Sequence, residues 1–175
     1  MLLQQIGIVP DQIVSPDIDE SPLRDELPRP YAERMAREKA AAIVSQDCLV
    51  LAADTVVAAG RRILPKAENA EAVRACLTLL SGRRHRVLTA MALIAPDGNR
   101  TERLVETAVT FNRLTGAQID RYVSTREGEG KAGGYAINGY AASFIRLLSG
   151  SYSAVVGLPL FETAQLLRGH GWQVP

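Results

Sequence analysis

Aromatic residues are scarce in this sequence, and neither sign of charge is in clear excess. Aromatic side chains make up 5% of the 175 residues, which argues against the stacking platforms that bind single-stranded nucleic acid. Twenty lysines and arginines stand against 19 aspartates and glutamates, so no strong overall field attracts the chain to nucleic acid or to a membrane. We therefore expect neither nucleic acid nor a membrane as a partner.

Cysteine and histidine are too sparse for a metal site built from them. The two cysteines, Cys48 and Cys76, have no Cys-x-x-Cys spacing, and we interpret them as reduced, buried thiols of a cytosolic protein. The two histidines, His85 and His170, are too few and too far apart for a histidine-based zinc site. Any metal would then be a hard cation, bound by carboxylates and phosphate oxygens.

Long hydrophobic runs are also lacking. No stretch is long and apolar enough to span a bilayer, and the N-terminus has neither the charged nor the hydrophobic region of a secretion signal. We therefore expect a cytoplasmic protein. Hydrophobic residues still make up 47% of the chain, which allows an ordinary globular core, and the length fits one domain over residues 1–175.

Hydrophobic periodicity and turn residues predict helices mixed with strands, which indicates an α/β fold. Predicted helices cover about 30–46, 68–80 and 159–168, and predicted strands cover 48–58, 84–94, 102–112 and 141–148. A short helix is expected after Thr115, a suitable N-cap, and a loop over 149–153. Leu2–Ile6 has the spacing of a helix end before Gly7. Pro96–Asn99 predicts a hairpin turn, so we expect a mixed sheet rather than a purely parallel one.

One acidic residue interrupts the most apolar predicted strand. Within Leu49–Gly60, Asp54 lies among small and β-branched residues, with Thr55 beside it. An unpaired carboxylate in such a strand is strongly unfavourable. Either a partner holds Asp54 in its ionised form, or the strand ends at a cleft.

Two lysines and a glycine-rich segment could supply phosphate-binding groups. Lys39 has helical spacing to Met35, so its ammonium either reaches water past an apolar face or points at an anionic group. Lys66 precedes a predicted helix start, where a phosphate could meet both the side chain and the helix dipole, although a surface lysine fits as well. Lys131 lies in the glycine-rich stretch 128–139, which permits close approach to a phosphate or, equally, tight turns around Tyr135.

Glu20 lies in the acidic, proline-containing segment 11–26, where a capping or solvated role is the ordinary interpretation. With Asp54, however, it would form a pair of carboxylates. Two carboxylates, two lysines and glycine turns together fit a metal-assisted phosphoryl site. In such a site a cation neutralises the polyphosphate, lysines bind its oxygens, and a carboxylate accepts a proton from the attacking water. Spacing in the sequence does not show whether these groups converge.

Ordered motifs over essentially the whole chain resemble the Maf family of nucleoside triphosphate pyrophosphatases. The motifs are DIDES, YAERMAREKA, VLAADTVV, ILPK, LSGRRHRVLT, VETAVTF, GKAGGYAING and GSYSAVVGLPLFET. The resemblance implies an elongated α/β sheet in two lobes with a central cleft, as in the inosine triphosphate pyrophosphatases. It also implies hydrolysis of a nucleoside triphosphate to the monophosphate and pyrophosphate, dependent on a divalent cation such as Mg²⁺ or Mn²⁺. Such enzymes are commonly cytoplasmic homodimers.

The resemblance also implies a role for each candidate residue. Asp54 matches the family's proton acceptor, and Asp54 and Glu20 are the implied metal-binding carboxylates. Glu20, Lys39 and Lys66 match polar groups around the triphosphate and the metal. From these matches we expect Asp54 to end its strand at the cleft, where the metal and the lysines keep it charged.

Base selection is assigned by the same resemblance. Thr55 and Asn138 fall at positions tied to base specificity, and Lys131 in the glycine-rich stretch is a further candidate for substrate binding. The form of this stretch and of GSYSAVVGLPLFET resembles the subgroup that acts on dTTP and UTP. The subgroup that acts on 7-methyl-GTP has a different sequence there.

Several positions depart from the family pattern. The family opens with a strand and a Ser-x-Ser-Pro-Arg-Arg turn that binds phosphate and base, and we expect both to be missing from this chain. Asn138 replaces a glutamine, PKA replaces GKP around Lys66, and Ala154 replaces an asparagine. These departures motivate a second hypothesis, a catalytically weakened nucleotide-binding regulator connected with cell division. A different α/β hydrolase or transferase would need a nucleophile motif such as Gly-x-Ser-x-Gly, which the sequence lacks.

Overall fold

Residues 2–43 and 47–174 are described by a computed structural model of the chain. The helices are α1 (Pro28–Ala41), α2 (Ala70–Leu80), α3 (Gly116–Thr125), α4 (Tyr152–Val156) and α5 (Leu160–Gly169). The strands are β1 (Val50–Ala59), β2 (Arg62–Leu64), β3 (Arg84–Ile94), β4 (Arg100–Phe111) and β5 (Ile145–Ser149). Two short 3-10 helices, Leu3–Ile6 and Tyr140–Phe144, complete the described elements.

The strands form one five-stranded sheet in the order β2-β1-β3-β4-β5. The predicted α/β class is confirmed. Each pairing in this sheet is antiparallel, however, where we expected antiparallel pairs beside parallel ones. The reason is the connections: β1 to β2 and β3 to β4 are hairpins, and no helix-containing crossover joins parallel neighbours within the described residues.

Most predicted elements lie within a few residues of their predicted positions. The helix predicted over 30–46 ends at Ala41, and residues 44–46 lie outside the described part of the chain. The strand predicted from 141 begins only at Ile145, because Ala141 and Phe144 are buried on one side of a 3-10 helix. Helix α4 lies where the loop was expected to continue. Gly7 ends the first 3-10 helix with a φ of 72°, as a C-cap glycine does.

Local capping explains where two helices begin. The Asn69 side chain accepts a hydrogen bond from the backbone N–H of Ala72 at the start of α2. At the start of α3, Thr115 and Gln118 form a capping box, in which each side chain accepts from the other residue's backbone N–H. The predicted N-cap at Thr115 is confirmed.

Apolar side chains cover both faces of the sheet. Alternate residues of β1 point to opposite faces, so Val56 and Ala58 pack with the alanines of α1 while Val57 packs on the other side. That other side carries two clusters, one around Phe111 beside α2 and α3, and one in which Met91 and Leu93 meet α5. Helix α1 is therefore fixed flat against one face of β1 and β3, which positions its polar side chains over the sheet.

Two further predictions concern the burial of the cysteines and the presence of a membrane-spanning segment. Cys76 is partly buried, but Cys48 is exposed, so the expectation of a buried thiol is wrong for Cys48, which lies in the bend before β1. Among the described residues, no helix combines the length and the apolar composition needed to cross a bilayer.

Candidate active site

Asp54 lies in the middle of β1, opposite Ala90 of β3, and not at the end of a strand as we expected. Its side chain is 10% exposed and points to the face covered by α1. There the Lys39 ammonium donates a hydrogen bond to Asp54 Oδ1 over 2.6 Å. The first of the two explanations, a partner for the carboxylate within this apolar strand, therefore applies, and the partner is Lys39.

A cleft nevertheless reaches Asp54, because β2 is too short to cover the whole of β1. Strand β2 pairs only with Val57–Ala59, so the edge of β1 is open from Val56 back to Asp54. A cavity of about 350 Å³ lies at this open edge. Its lining includes Asp54, Thr55 and Val56 from β1 and the chain that leaves β2.

Lys39 is turned towards carboxylates and not towards water. Its position on α1, four residues after the buried Met35, places it against the sheet, and its side chain is 15% exposed. The ammonium lies 2.6 Å from Asp54 Oδ1 and 2.9 Å from Glu20 Oε1. Burial alone would lower the pKa of Lys39. The hydrogen bonds that Lys39 donates to the two carboxylates outweigh the effect of burial, so the pKa of Lys39 is raised.

Glu20 links the two predicted lysines. Its Oε1 atom contacts the Lys39 ammonium, and its Oε2 atom accepts a hydrogen bond from Lys66 Nζ over 2.5 Å. The hydrogen bond from Lys66 is the main reason that the pKa of Glu20 is lowered, and Lys39 adds to the effect. The four side chains thus alternate in charge from Asp54 through Lys39 and Glu20 to Lys66, and Asp54, Glu20 and Lys66 line the cavity.

Two residues that the sequence did not single out hold Glu20 in place. The Tyr31 hydroxyl donates to the backbone carbonyl of Glu20 over 2.6 Å. Arg34 donates to the carbonyl of Ser21 and forms a 2.7 Å ion pair with Glu26, so the segment around Glu20 is attached to α1 at several points. The signal was present in the motif YAERMAREKA, since Tyr31 and Arg34 are three residues apart on one helical face.

Lys66 is fixed by the glycine-rich loop. The backbone of Lys66 forms an isolated antiparallel bridge with Ala132. On either side of this bridge, Gly133 N donates to Pro65 O over 3.2 Å and Ala67 N donates to Lys131 O over 3.0 Å. A short ladder of backbone hydrogen bonds therefore holds the chain after β2 against the loop, with Ala132 lining the cavity.

The remaining predicted site residues are less central. Thr55 lines the cavity, but its hydroxyl lies on the face opposite to Asp54 and is 3.1 Å from the Thr89 hydroxyl. Lys131 and Asn138 are exposed, and neither is among the residues that line the cavity. The structure thus brings Glu20, Lys39, Asp54 and Lys66 together, while the roles of Lys131 and Asn138 stay predictions.

The site has two carboxylates that could take part in cation binding. No cluster of three or more histidine, cysteine, aspartate or glutamate side chains in residues 2–43 and 47–174 is arranged to bind a metal. Mg²⁺ usually needs only one or two protein carboxylates, because water and substrate phosphate oxygens complete its octahedron. Asp54 and Glu20 both approach one ammonium nitrogen within 2.9 Å, so their oxygens converge and their chemistry fits such a cation.

Comparisons with known proteins agree with the motif resemblance. A family profile described as "Maf-like protein" matches residues 1–170. The "dTTP/UTP pyrophosphatase" of Gluconobacter oxydans is 63% identical over 175 residues, covering 96% of this chain and 80% of that protein. Proteins of the same name from Rhodospirillum rubrum and Caulobacter vibrioides are 58% and 57% identical, covering 98% of this chain and 83% and 90% of their own lengths. The predicted family resemblance is confirmed.

Proposed function

The chain belongs to the Maf-like protein family, and from this premise we propose that it hydrolyses nucleoside triphosphates to the monophosphate and pyrophosphate. The names of its relatives favour dTTP and UTP as substrates. The observation that carries the proposal is the convergence of two carboxylates and two ammonium groups beside one open cavity. Ammonium groups bind triphosphate oxygens, and a carboxylate among them can accept a proton.

Asp54 is the proposed general base. It accepts a proton from the water that attacks the α-phosphorus, and the bond between that phosphorus and the oxygen bridging to the β-phosphate breaks. Pyrophosphate is the leaving group. Lys39 donates a hydrogen bond to Asp54 Oδ1, which holds this carboxylate in place beside the cavity. A tyrosine hydroxyl and an arginine hold the Glu20 segment, so the second carboxylate stays beside the first.

Lys39 and Lys66 are the proposed phosphate ligands. In the free protein both ammonium groups bind Glu20, so their positive charge is already held at the cavity before the substrate arrives. A divalent cation, Mg²⁺ or Mn²⁺, held by Asp54 and Glu20 would neutralise part of the triphosphate charge. Lys66 is the more exposed of the two lysines, which leaves its ammonium free to move from Glu20 to a phosphate oxygen.

Other features of the proposal come from the family. We propose that Thr55, Asn138 and Lys131 contribute to binding the base or the phosphates. We further propose a cytoplasmic homodimer in which residues 1–175 of each chain act as a single domain. The alternative, a catalytically weakened nucleotide-binding regulator of cell division, would use the same cavity without turnover.

The experiment that tests the proposal measures release of pyrophosphate and of phosphate from dTTP, UTP, CTP and GTP with Mg²⁺ or Mn²⁺. We expect pyrophosphate from dTTP and UTP, and a loss of kcat of at least about 100-fold in Asp54→Asn, as for removal of a general base. Asp11→Asn is the matched control, because Asp11 is exposed and is not among the residues that line the cavity. Nucleotide binding without pyrophosphate release would favour the regulator, and unchanged turnover in Asp54→Asn would refute the assigned base.

A further inference from the structure

His85 is a buried polar residue to which the proposed reaction gives no role. It lies near the start of β3 and is 2% exposed. Its Nε2 atom lies 2.8 Å from the Tyr135 hydroxyl, whereas Nδ1 is buried and has no partner among the described residues. A phenylalanine would remove the unpartnered Nδ1 but would also take the hydrogen bond from the buried Tyr135 hydroxyl, so the contact with Tyr135 is what the imidazole supplies.

The hydrogen bond between His85 and Tyr135 lies in an aromatic environment. The Phe111 ring packs edge-on against both partners, with centroids 5.2 Å from His85 and 4.9 Å from Tyr135. Burial lowers the pKa of His85 to about 4, so the imidazole is neutral at physiological pH. A neutral hydrogen bond shielded from water is directional and holds its partners in one relative position.

Tyr135 belongs to the loop that fixes Lys66. It directly follows Gly133 and Gly134, which both have positive φ. A Cβ atom on Gly133 would lie 2.7 Å from Val57, which shows how closely the loop approaches β1. The same loop forms the backbone bridge to Lys66 and contributes Ala132 to the cavity.

The loop is also attached to α3 and its C-terminal end, where Arg126 forms an ion pair with Glu129. The backbone N–H of Ala136 donates to the Tyr122 hydroxyl of α3 over 3.0 Å. Tyr122 therefore connects the loop to a helix. His85 instead joins the loop to the sheet that carries Asp54, together with the packing of Phe111 on Tyr135 and the close approach of Gly133 to Val57.

We propose that His85 is a positioning residue, which through Tyr135 holds the glycine-rich loop 128–139, and with it Lys66, at a fixed distance from Asp54. This inference rests on the proposed function only in its kinetic consequence. The histidine does not touch the substrate. It acts by keeping the Lys66 ammonium where a triphosphate bound at Asp54 requires it.

The test compares His85→Phe, Tyr135→Phe and the double variant. Each single variant removes the same hydrogen bond and keeps an aromatic ring against Phe111. We expect each to raise the KM for dTTP about three- to tenfold, in line with loss of one buried hydrogen bond, with little change in kcat. The double variant is expected to match the singles, because the second substitution has nothing left to remove. His85→Gln, which can place an amide near Nε2, is expected to restore part of the KM.

Hydrogen exchange gives a readout that does not depend on turnover. In both single variants the amides of Ala67, Gly130 and Gly133 are expected to exchange about tenfold faster, because these amides form the contacts between the loop and Pro65–Ala67. Amides of β3 and β4 are expected to be unchanged. Tyr140→Phe is the matched control, since Tyr140 is exposed in the neighbouring 3-10 helix.

The KM measurement and the hydrogen-exchange measurement together distinguish failure of this inference from failure of the proposed function. If the wild-type protein releases no pyrophosphate, the exchange of the loop amides alone decides the inference. A lower melting temperature with unchanged loop exchange and unchanged KM would overturn it, because His85 would then be a core residue only. Additive effects in the double variant would overturn it as well.

Discussion

At the residue scale, the sequence marked Asp54 as anomalous but did not identify its partner. A carboxylate in an apolar strand predicts a compensating charge, and Lys39 supplies it. Lys39 is 15 residues away and in a different element, so no local spacing rule connects the two. The sequence leaves two orientations open for the Lys39 ammonium, towards water or towards an anionic group. The packing of α1 on β1 selects the second.

Replacement of Lys39 by methionine is expected to lower the free energy of unfolding at neutral pH by about 2 kcal/mol. This is below the cost of breaking a fully buried pair, because Glu20 and Asp54 keep some contact with water. Urea denaturation at pH 7 measures the change. Lys131→Met is the control, because Lys131 is exposed, and an equal loss in both variants would contradict the assigned ion pairs.

The pairing of Glu20 predicts a pH dependence of stability. Its pKa is lowered from 4.5, first by the hydrogen bond from Lys66, so the folded state binds this proton less readily than the unfolded state does. The stabilisation is therefore complete above pH 4.5 and is lost as the pH falls through the lowered value. We expect the free energy of unfolding of wild type minus that of Glu20→Gln to be constant from pH 6 to 8 and to shrink below 4.5. A difference that grows on acidification would contradict the pairing.

At the element scale, the length of β2 creates the cleft. The three-residue strand β2 pairs with three of the ten residues of β1, so residues 50–56 have no partner in β2, and the glycine-rich loop pairs with the chain just after β2. Sequence patterns predicted β1 within two residues, because small and β-branched residues continue to Ala59. They did not predict β2 at all, since so short a strand has no periodicity. Helix α4 was missed for the same reason, although Ser151 caps it with an ordinary side-chain hydrogen bond.

Gly133→Ala is expected to be far more harmful than Gly130→Ala. Both glycines have positive φ, 67° and 71°, so alanine is strained by about 1–2 kcal/mol at either position. At Gly130 a Cβ atom would meet nothing within 4 Å, whereas at Gly133 it would lie 2.7 Å from Val57. The added steric conflict is expected to cost about 1–3 kcal/mol more in the free energy of unfolding, and to raise the KM because the loop must move away from β1.

The matched pair separates backbone strain from close packing. Thermal and urea denaturation of both variants give the stability difference, and pyrophosphate release gives the KM. Equal destabilisation by the two alanines would show that the loop does not approach β1 as closely as described.

At the scale of the whole molecule, the site lies at the open edge of β1, which groups from both faces of the sheet can reach. Helix α1 brings Lys39 and the Glu20 segment to one face, and the glycine-rich loop brings Lys66 from the side of β2. Because strand residues alternate, Asp54 and Thr55 contact opposite layers although they are neighbours in sequence. The structure brings together four residues that the motif resemblance named. The helical spacing of Tyr31 and Arg34 places them on one face of α1, but their partners in the Glu20 segment are set by tertiary packing.

The buried imidazole predicts a global effect of acid on stability. His85 has a pKa of about 4 in the folded protein, against 6.5 for an ordinary histidine, so between these values the unfolded state takes up a proton that the folded state does not. Stability is therefore complete above pH 6.5 and falls as the pH approaches 4, by about 3 kcal/mol in total. The hydrogen bond and ring contacts of His85 within the described part of the chain are to the uncharged Tyr135 and Phe111, and burial is what lowers its pKa.

Comparison of wild type with His85→Phe isolates this contribution. Basic partners lower the pKa of Glu20, Glu26 and Glu102, and because these carboxylates are common to both proteins their contributions cancel in the difference. We expect urea denaturation to show that the wild type loses about 3 kcal/mol more than the variant between pH 6.5 and 4. Parallel pH profiles would mean that the imidazole is protonated equally in both states. Such a result would place His85 in contact with water and remove the shielded hydrogen bond on which the positioning of the glycine-rich loop depends.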